Sequence, residues 1–145
     1  MTPAGGEELV ARKKDFDDNP TPSGNSMLAY VLLRLARIWG DEELERRAVG
    51  VFRLVHPLLA RAPQAFGWTL AALDLHLSPP RELALIAEPD DDLARDVLSR
   101  WDPNAVVAFG PTDEVPLLAG KDQIDGLPTL YECERFVCRA PVTAI

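Results

Sequence analysis

The sequence predicts an α+β fold: a segment of three helices, then a small mixed α/β sheet made of a βαβ unit and a closing hairpin. Three observations predict it. Residues 26–77 carry apolar side chains at helical spacing in three successive runs. Pro79-Pro80 ends that pattern, because neither residue can continue a helix. Beyond it, short apolar runs bounded by turn residues replace the long periodic ones. The expected division is an extended arm over 1–22, a helical segment over 23–78 and a small α/β region over 79–145.

The arm is poor in apolar periodicity and holds Lys13-Lys14 with Asp15, Asp17 and Asp18. An acidic run in such a stretch reads as solvated rather than as paired carboxylates for acid/base chemistry. Pro22-Ser23-Gly24-Asn25-Ser26 is loop chemistry, and Ser23, Asn25 and Ser26 all suit an N-cap. The first helix is expected from about Ser26 to Trp39. It is apolar nearly all round, with Arg34 and Arg37 as its polar edge, so it must be covered on most sides. Gly40 stops it and Asp41 caps the second helix, expected to about Ala60. Leu44, Ala48, Val51, Phe52, Val55 and Leu59 form one stripe along that helix. The turn between the two is short enough to force antiparallel packing. A third helix spans about Pro63 to Leu77, with Pro63 in the first turn, where its missing N–H is no loss.

Glu82 to Ala87 reads as a buried strand. Pro89 to Asp92 is a turn whose aspartates sit where a helix dipole favours negative charge; a helix from about Asp91 to Trp101 follows. Ala105 to Phe109 is the next strand, and strand–helix–strand at this length makes a right-handed parallel unit. Val115 to Leu118 reads as a turn of helix. Thr129 to Cys133 and Phe136 to Ala140 read as a hairpin around Glu134-Arg135.

Composition narrows the function classes. The chain has 145 residues, 47% hydrophobic and 26% charged, which suits a globular domain. Its formal charge of −8 argues against nucleic acid as a partner, since phosphates call for a basic face. No run approaches the ~20 apolar residues that span a bilayer, and no basic n-region precedes an apolar core at the start. Two cysteines in such a chain are expected as free thiols in a reducing compartment, with the cytoplasm as default.

Few motifs carry chemistry. Cys133 and Cys138 are the redox candidates, although their spacing is not that of a C-x-x-C pair. No metal site is expected: only His56 and His76 could add ligands, and both fall on helices far away in sequence. Near helix C-termini, histidines are favoured by the dipole alone. Gly110-Pro111-Thr112 follows a strand where α/β sheets bind ligands. There is no G-x-G-x-x-G or Walker sequence, so no nucleotide or other cofactor is expected. Trp39, Trp68 and Trp101 fall on predicted helices and read as core.

Taken in order, Glu8 to Lys14, Asp18, Thr21-Pro22-Ser23-Gly24-Asn25-Ser26, Leu32 to Ala36, Gly40-Asp41, Ala65-Phe66, Leu70 to Asp74, Pro80-Arg81-Glu82, Pro103 to Val107, Leu118 to Lys121, Asp125-Gly126-x-Pro128-Thr129 and Cys133 to Val142 resemble the thioredoxin-domain-containing proteins of the YyaL and spermatogenesis-associated protein 20 family. Proteins of that family have a thioredoxin-like domain, an (α/α)6 toroid similar to the sugar 2-epimerases, and a small C-terminal α/β region. The resemblance implies that this chain holds only the last toroid helices and the α/β region. It also implies that Ser23, Gly24 and Asn25 face the toroid's groove.

The expected function is therefore a C-terminal module that is not an enzyme by itself and acts through association, either with itself or with the remainder of a family protein. One alternative is part of an epimerase-like enzyme binding a sugar or another small polar metabolite. Another is a thiol redox module using Cys133 and Cys138. Membranes and nucleic acids are not expected partners. The physical expectation is sharper. If roughly 600 Å² of apolar helix surface lost its neighbours, about 15 kcal/mol would be forfeited, as much as a whole domain's stability.

Overall fold

The computed structural model describes residues 16–18 and 20–143. Most of the arm expected over 1–22 lies outside the described residues, and so does Asp15. Three helices come first: α1 (Gly24–Trp39), α2 (Glu42–Leu59) and α3 (Gly67–Leu77). Then follow β1 (Arg81–Ile86), α4 (Asp92–Ser99), β2 (Ala105–Phe109), β3 (Thr129–Glu134) and β4 (Val137–Cys138). The α+β class and the order of elements are those the sequence predicts.

Local chemistry sets the boundaries. Ser23 is the N-cap of α1, its hydroxyl accepting from the Ser26 N–H, so the helix begins two residues earlier than its apolar periodicity suggests. Gly40 closes α1 in the left-handed conformation, φ 68°, and its N–H reaches the Ala36 carbonyl. Asp41 caps α2 through the N–H groups of Glu43 and Leu44. The expected third helix is divided. Pro63–Ala65 makes a single 3-10 turn, Phe66 takes φ −135°, and α3 starts only at Gly67. Val115 to Leu118 closes a turn, with the Leu118 and Ala119 N–H groups both reaching Val115 O and Lys121 N–H reaching Leu118 O, but makes no helix.

β1 lies at the centre of a four-stranded sheet of order β2-β1-β3-β4. It runs parallel to β2 and antiparallel to β3, which is antiparallel to β4. Alternate residues of β1 feed two cores. Leu83 and Leu85 pack with Leu93, Ala94 and Val97 of α4. Ala84 and Ile86 pack with Val106, Ala108, Leu117, Leu118 and Cys133 on the opposite face, where Ile38 of α1 joins them. That double coverage explains why the strand reads as a continuous apolar run. The hairpin differs from expectation: β3 runs on to Glu134, the turn moves on by one residue, and β4 keeps only Val137–Cys138 of the expected Phe136 to Ala140. Arg135 and Phe136 both take positive φ, 49° and 64°, and form the two-residue turn, so Phe136 is not a strand residue. This register sets Cys133 directly opposite Cys138.

The helices share a third core, in which Ala29 and Leu33 of α1 meet Ala48, Phe52, Ala72 and Leu75. Arg34 and Arg37 are not a solvated edge. Arg34 donates to the Ala105 carbonyl at 3.2 Å and Arg37 to the Asn104 carbonyl at 2.8 Å, so both fasten α1 to the start of β2. The opposite side of α1 is bare: Leu28, Val31, Leu35 and Trp39 are 38%, 41%, 38% and 49% exposed. Expected core status fails most clearly for Trp101, which falls beyond α4 and is 89% exposed.

Candidate functional site

Between the α1–α2 turn, the end of α3 and the β3–β4 hairpin lies a cleft of about 890 Å³. Each wall supplies charge: Arg37 from α1, Glu45 and Arg53 from α2, His76 from α3, Glu82 from β1, Glu134 and Arg135 from the hairpin. Glu82 is 2% exposed, in a strand otherwise wholly apolar from Leu83 to Ile86. Its Oε2 accepts the Phe136 N–H at 2.8 Å, which pins the hairpin turn to the sheet. The Phe136 ring comes close enough to Gly40 that a Cβ there would sit 3.2 Å from its Cε2 and Cζ. Gly40 is thus required both by its positive φ and by this close approach.

Arg37 ties the cleft together. Beyond Asn104, its guanidinium donates to the Leu75 carbonyl and, at 3.4 Å, to that of Ser78, satisfying the open C-terminal end of α3. Burial pushes its pKa down, Glu82 and Glu45 pull it up, and Arg34 pushes it down again. An arginine in this balance stays charged. His76 Nδ1 lies 3.1 Å from a Glu45 carboxylate oxygen, close enough for an ion pair if protonated. The approach is off-line, however, and leaves that buried nitrogen without a hydrogen-bond partner. Its ring is tilted against Phe52 at 5.9 Å. His56, by contrast, is exposed.

Ser23, Gly24 and Asn25 lie away from this cleft's lining, at the start of α1. There the organising group is Asp18, which is buried rather than solvated. Its carboxylate accepts from Ser23 N–H at 2.8 Å, Ser26 hydroxyl at 2.5 Å and Thr69 N–H at 3.0 Å. Its own N–H bonds Ala65 O at 2.6 Å. One side chain therefore closes the open N–H ends of both α1 and α3, where two helix dipoles favour an anion. Burial alone would raise the Asp18 pKa. The hydrogen bonds from Ser23, Ser26 and Thr69 outweigh it and hold the carboxyl below its ordinary value. Ser23 is 5% exposed with its hydroxyl engaged in the cap, while Gly24 is open to solvent.

Cys133 and Cys138 are joined in a disulfide, not held as free thiols. The expectation of unpaired cysteines fails because the shifted turn brings them face to face across the hairpin. Cys133 is 3% exposed and faces the core; Cys138 is half-buried. A bridge closing so short a loop stabilises by only about 2 kcal/mol in the chain-entropy picture. Among the described residues, no group of three or more His, Cys, Asp or Glu could hold a metal ion, and no helix is long and apolar enough to cross a membrane.

Sequence reasoning singled out the cysteines but missed the roles of Asp18, Arg37 and Glu82. A carboxylate at the head of the Glu82–Ala87 run was the visible signal for Glu82. Asp18 stands in the stretch that carries the resemblance, but its role depends on Thr69, 51 residues away, as well as on the nearby Ser23 and Ser26.

The chain is similar to spermatogenesis-associated protein 20 of Rattus norvegicus, with 26% identity over 149 residues, 95% of this chain and 19% of the rat protein. The human protein of that name matches at 26% over the same shares. An uncharacterized protein of Caenorhabditis elegans is 28% identical over 147 residues, 96% of this chain and 20% of its own length. The matched stretch is the C-terminal part of the rat protein, as the residue pattern led us to expect. The chain spans about a fifth of the length of the curated relatives it matches. No family model matches it, and no solved structure does so significantly.

Proposed function

We propose that this chain is a C-terminal module of the kind found at the end of the spermatogenesis-associated protein 20 relatives, non-catalytic by itself and acting through association. The observation that carries the reading is the bare side of α1. Leu28, Val31, Leu35 and Trp39 recur three or four residues apart and line one face, while Ala29 and Leu33 on the other side are buried. A helix with apolar residues on both sides is shaped for neighbours on both sides. The occupant we assign is the helical region that precedes the matched stretch in the longer relatives. Its support is that the match covers only about a fifth of those proteins. Cytoplasmic residence belongs to the same proposal.

The test mixes this chain with the portion of the rat relative that precedes the matched stretch and follows complex formation by sedimentation velocity. The wild type is expected to bind it. The double variant Val31→Glu, Leu35→Glu is expected to lose at least about tenfold in affinity, since two charges would enter a dry contact, while keeping its circular dichroism. Absence of binding by the wild type would overturn the assignment, and a concentration-dependent homodimer would replace it with self-association.

A second reading is favoured by the cleft, where the buried Glu82 and the unpartnered His76 Nδ1 sit among arginines. Convergent donors and acceptors suit a small polar metabolite such as a sugar. In a thermal-shift panel of sugars the wild type is expected to gain stability with one member, and Glu82→Gln to gain none. A flat response across the panel would remove this reading.

A further inference from the structure

We infer that Cys133 and Cys138 form a thiol–disulfide exchange site whose redox state fixes or frees the hairpin that walls the cleft. Four observations converge. The bridge spans directly opposed residues of a two-residue hairpin, so it adds little to the closure that the turn and the β3–β4 pairing already provide. Its two cysteines differ in burial: Cys133 lies inside the core with Ile86, Leu117 and Leu118 and is 3% exposed, while Cys138 packs against the edge of the same core and is only half-buried. The turn that the bridge clamps holds Arg135 and Phe136, both non-glycine residues, in the left-handed region, a conformation that persists only where the surroundings impose it. That same turn makes the two contacts which close the cleft, Phe136 N–H to Glu82 and the Phe136 ring on Gly40. The bridge is therefore the constraint nearest the contacts that define the cleft wall.

The reaction is ordinary exchange with a dithiol reductant. One thiolate of the dithiol attacks Sγ of Cys138, the less buried residue of the pair; the S–S bond breaks and Cys133 Sγ leaves as a thiolate that takes up a proton. The dithiol's second sulfur then attacks the mixed disulfide, closing its own ring and releasing Cys138 as a thiol. The chain gains two electrons and two protons, and the dithiol loses the same. With the clamp open, the left-handed turn is held by the short β3–β4 pairing, the Phe136 N–H bond to Glu82 and the ring contact with Gly40. It relaxes outward, and the Arg135 and Glu134 side of the cleft moves with it.

The experiment uses the whole chain in native buffer. Dithiothreitol is expected to convert it from no alkylatable thiols to two without denaturant. Brief exposure to reduced glutathione is expected to leave its adduct on Cys138, read by peptide mass spectrometry. On reduction, amide exchange of Phe136 is expected to rise about tenfold or more while Leu83 to Leu85 stay protected. As a check on access, Cys133→Ser is expected to label at its remaining thiol about tenfold faster than Cys138→Ser. The inference is overturned if reduction requires unfolding, if the adduct lies on Cys133, if no bridge forms after mild oxidation, or if Phe136 exchange is the same in both states. None of these outcomes depends on whether α1 finds a partner.

Discussion

Asp18→Ala is expected to cost about 3–5 kcal/mol, enough to unfold much of the population of a marginally stable domain. The substitution leaves Ser23 N–H, Ser26 hydroxyl and Thr69 N–H facing a void in a buried site. Each orphaned donor costs about 1–3 kcal/mol, and bonds to a charged acceptor lie at the upper end. Asp18→Asn keeps the shape and one acceptor, so about half the loss is expected. Urea unfolding followed by circular dichroism measures both. The same group predicts a pH dependence. Its folded pKa lies below the unfolded value of about 3.9, so its stabilisation is complete well above that value. It is lost as pH falls from about 5 through the unfolded pKa toward the folded one. Asp18→Asn should lose that portion of the acid response. A variant whose acid limb overlays the wild type would refute the role.

The second large effect is expected at Arg37. Arg37→Met keeps the stem and removes the fork, leaving the carbonyls of Leu75, Ser78 and Asn104 without their donor. A loss of about 2–4 kcal/mol is expected, together with faster amide exchange in the last turn of α3. Arg37→Lys should recover less than half of it, because a point charge cannot reach the end of α3 and the start of β2 at once. A fully rescued lysine variant would mean that charge alone, not the fork, joins helices to sheet.

The elements were legible because their signals are local. Gly40-Asp41 encodes both a stop and a cap, and Pro79-Pro80 separates the two halves of the chain. β1 and β2 announce themselves by burial on both faces. What stayed hidden depends on long-range geometry. The apolar wrap of α1 is visible as a pattern, yet one side of it is bare in the structure, and Arg34 and Arg37 look like its solvent edge until the sheet's carbonyls are in place. From sequence alone the hairpin turn falls at Glu134-Arg135, and Phe136, a strand-favouring residue, opens the next strand. Its ring contact with Gly40 and its N–H bond to Glu82 override that preference. Shifting the turn by one position is what turns two separate cysteines into a bonded pair. Asp18 sat in a stretch with no periodicity, and only the meeting of two helix starts gives it a role.

Asp18 has a practical consequence for anyone attaching something to this protein. Through its carboxylate and its own N–H, the backbone at residue 18 is moored beside the first turns of α1 and α3. A dye or affinity handle attached at residue 17 is therefore held at the starts of these two helices, one residue from the mooring. Distance measurements from such a label would report on the helix starts first and on the distant hairpin only through them.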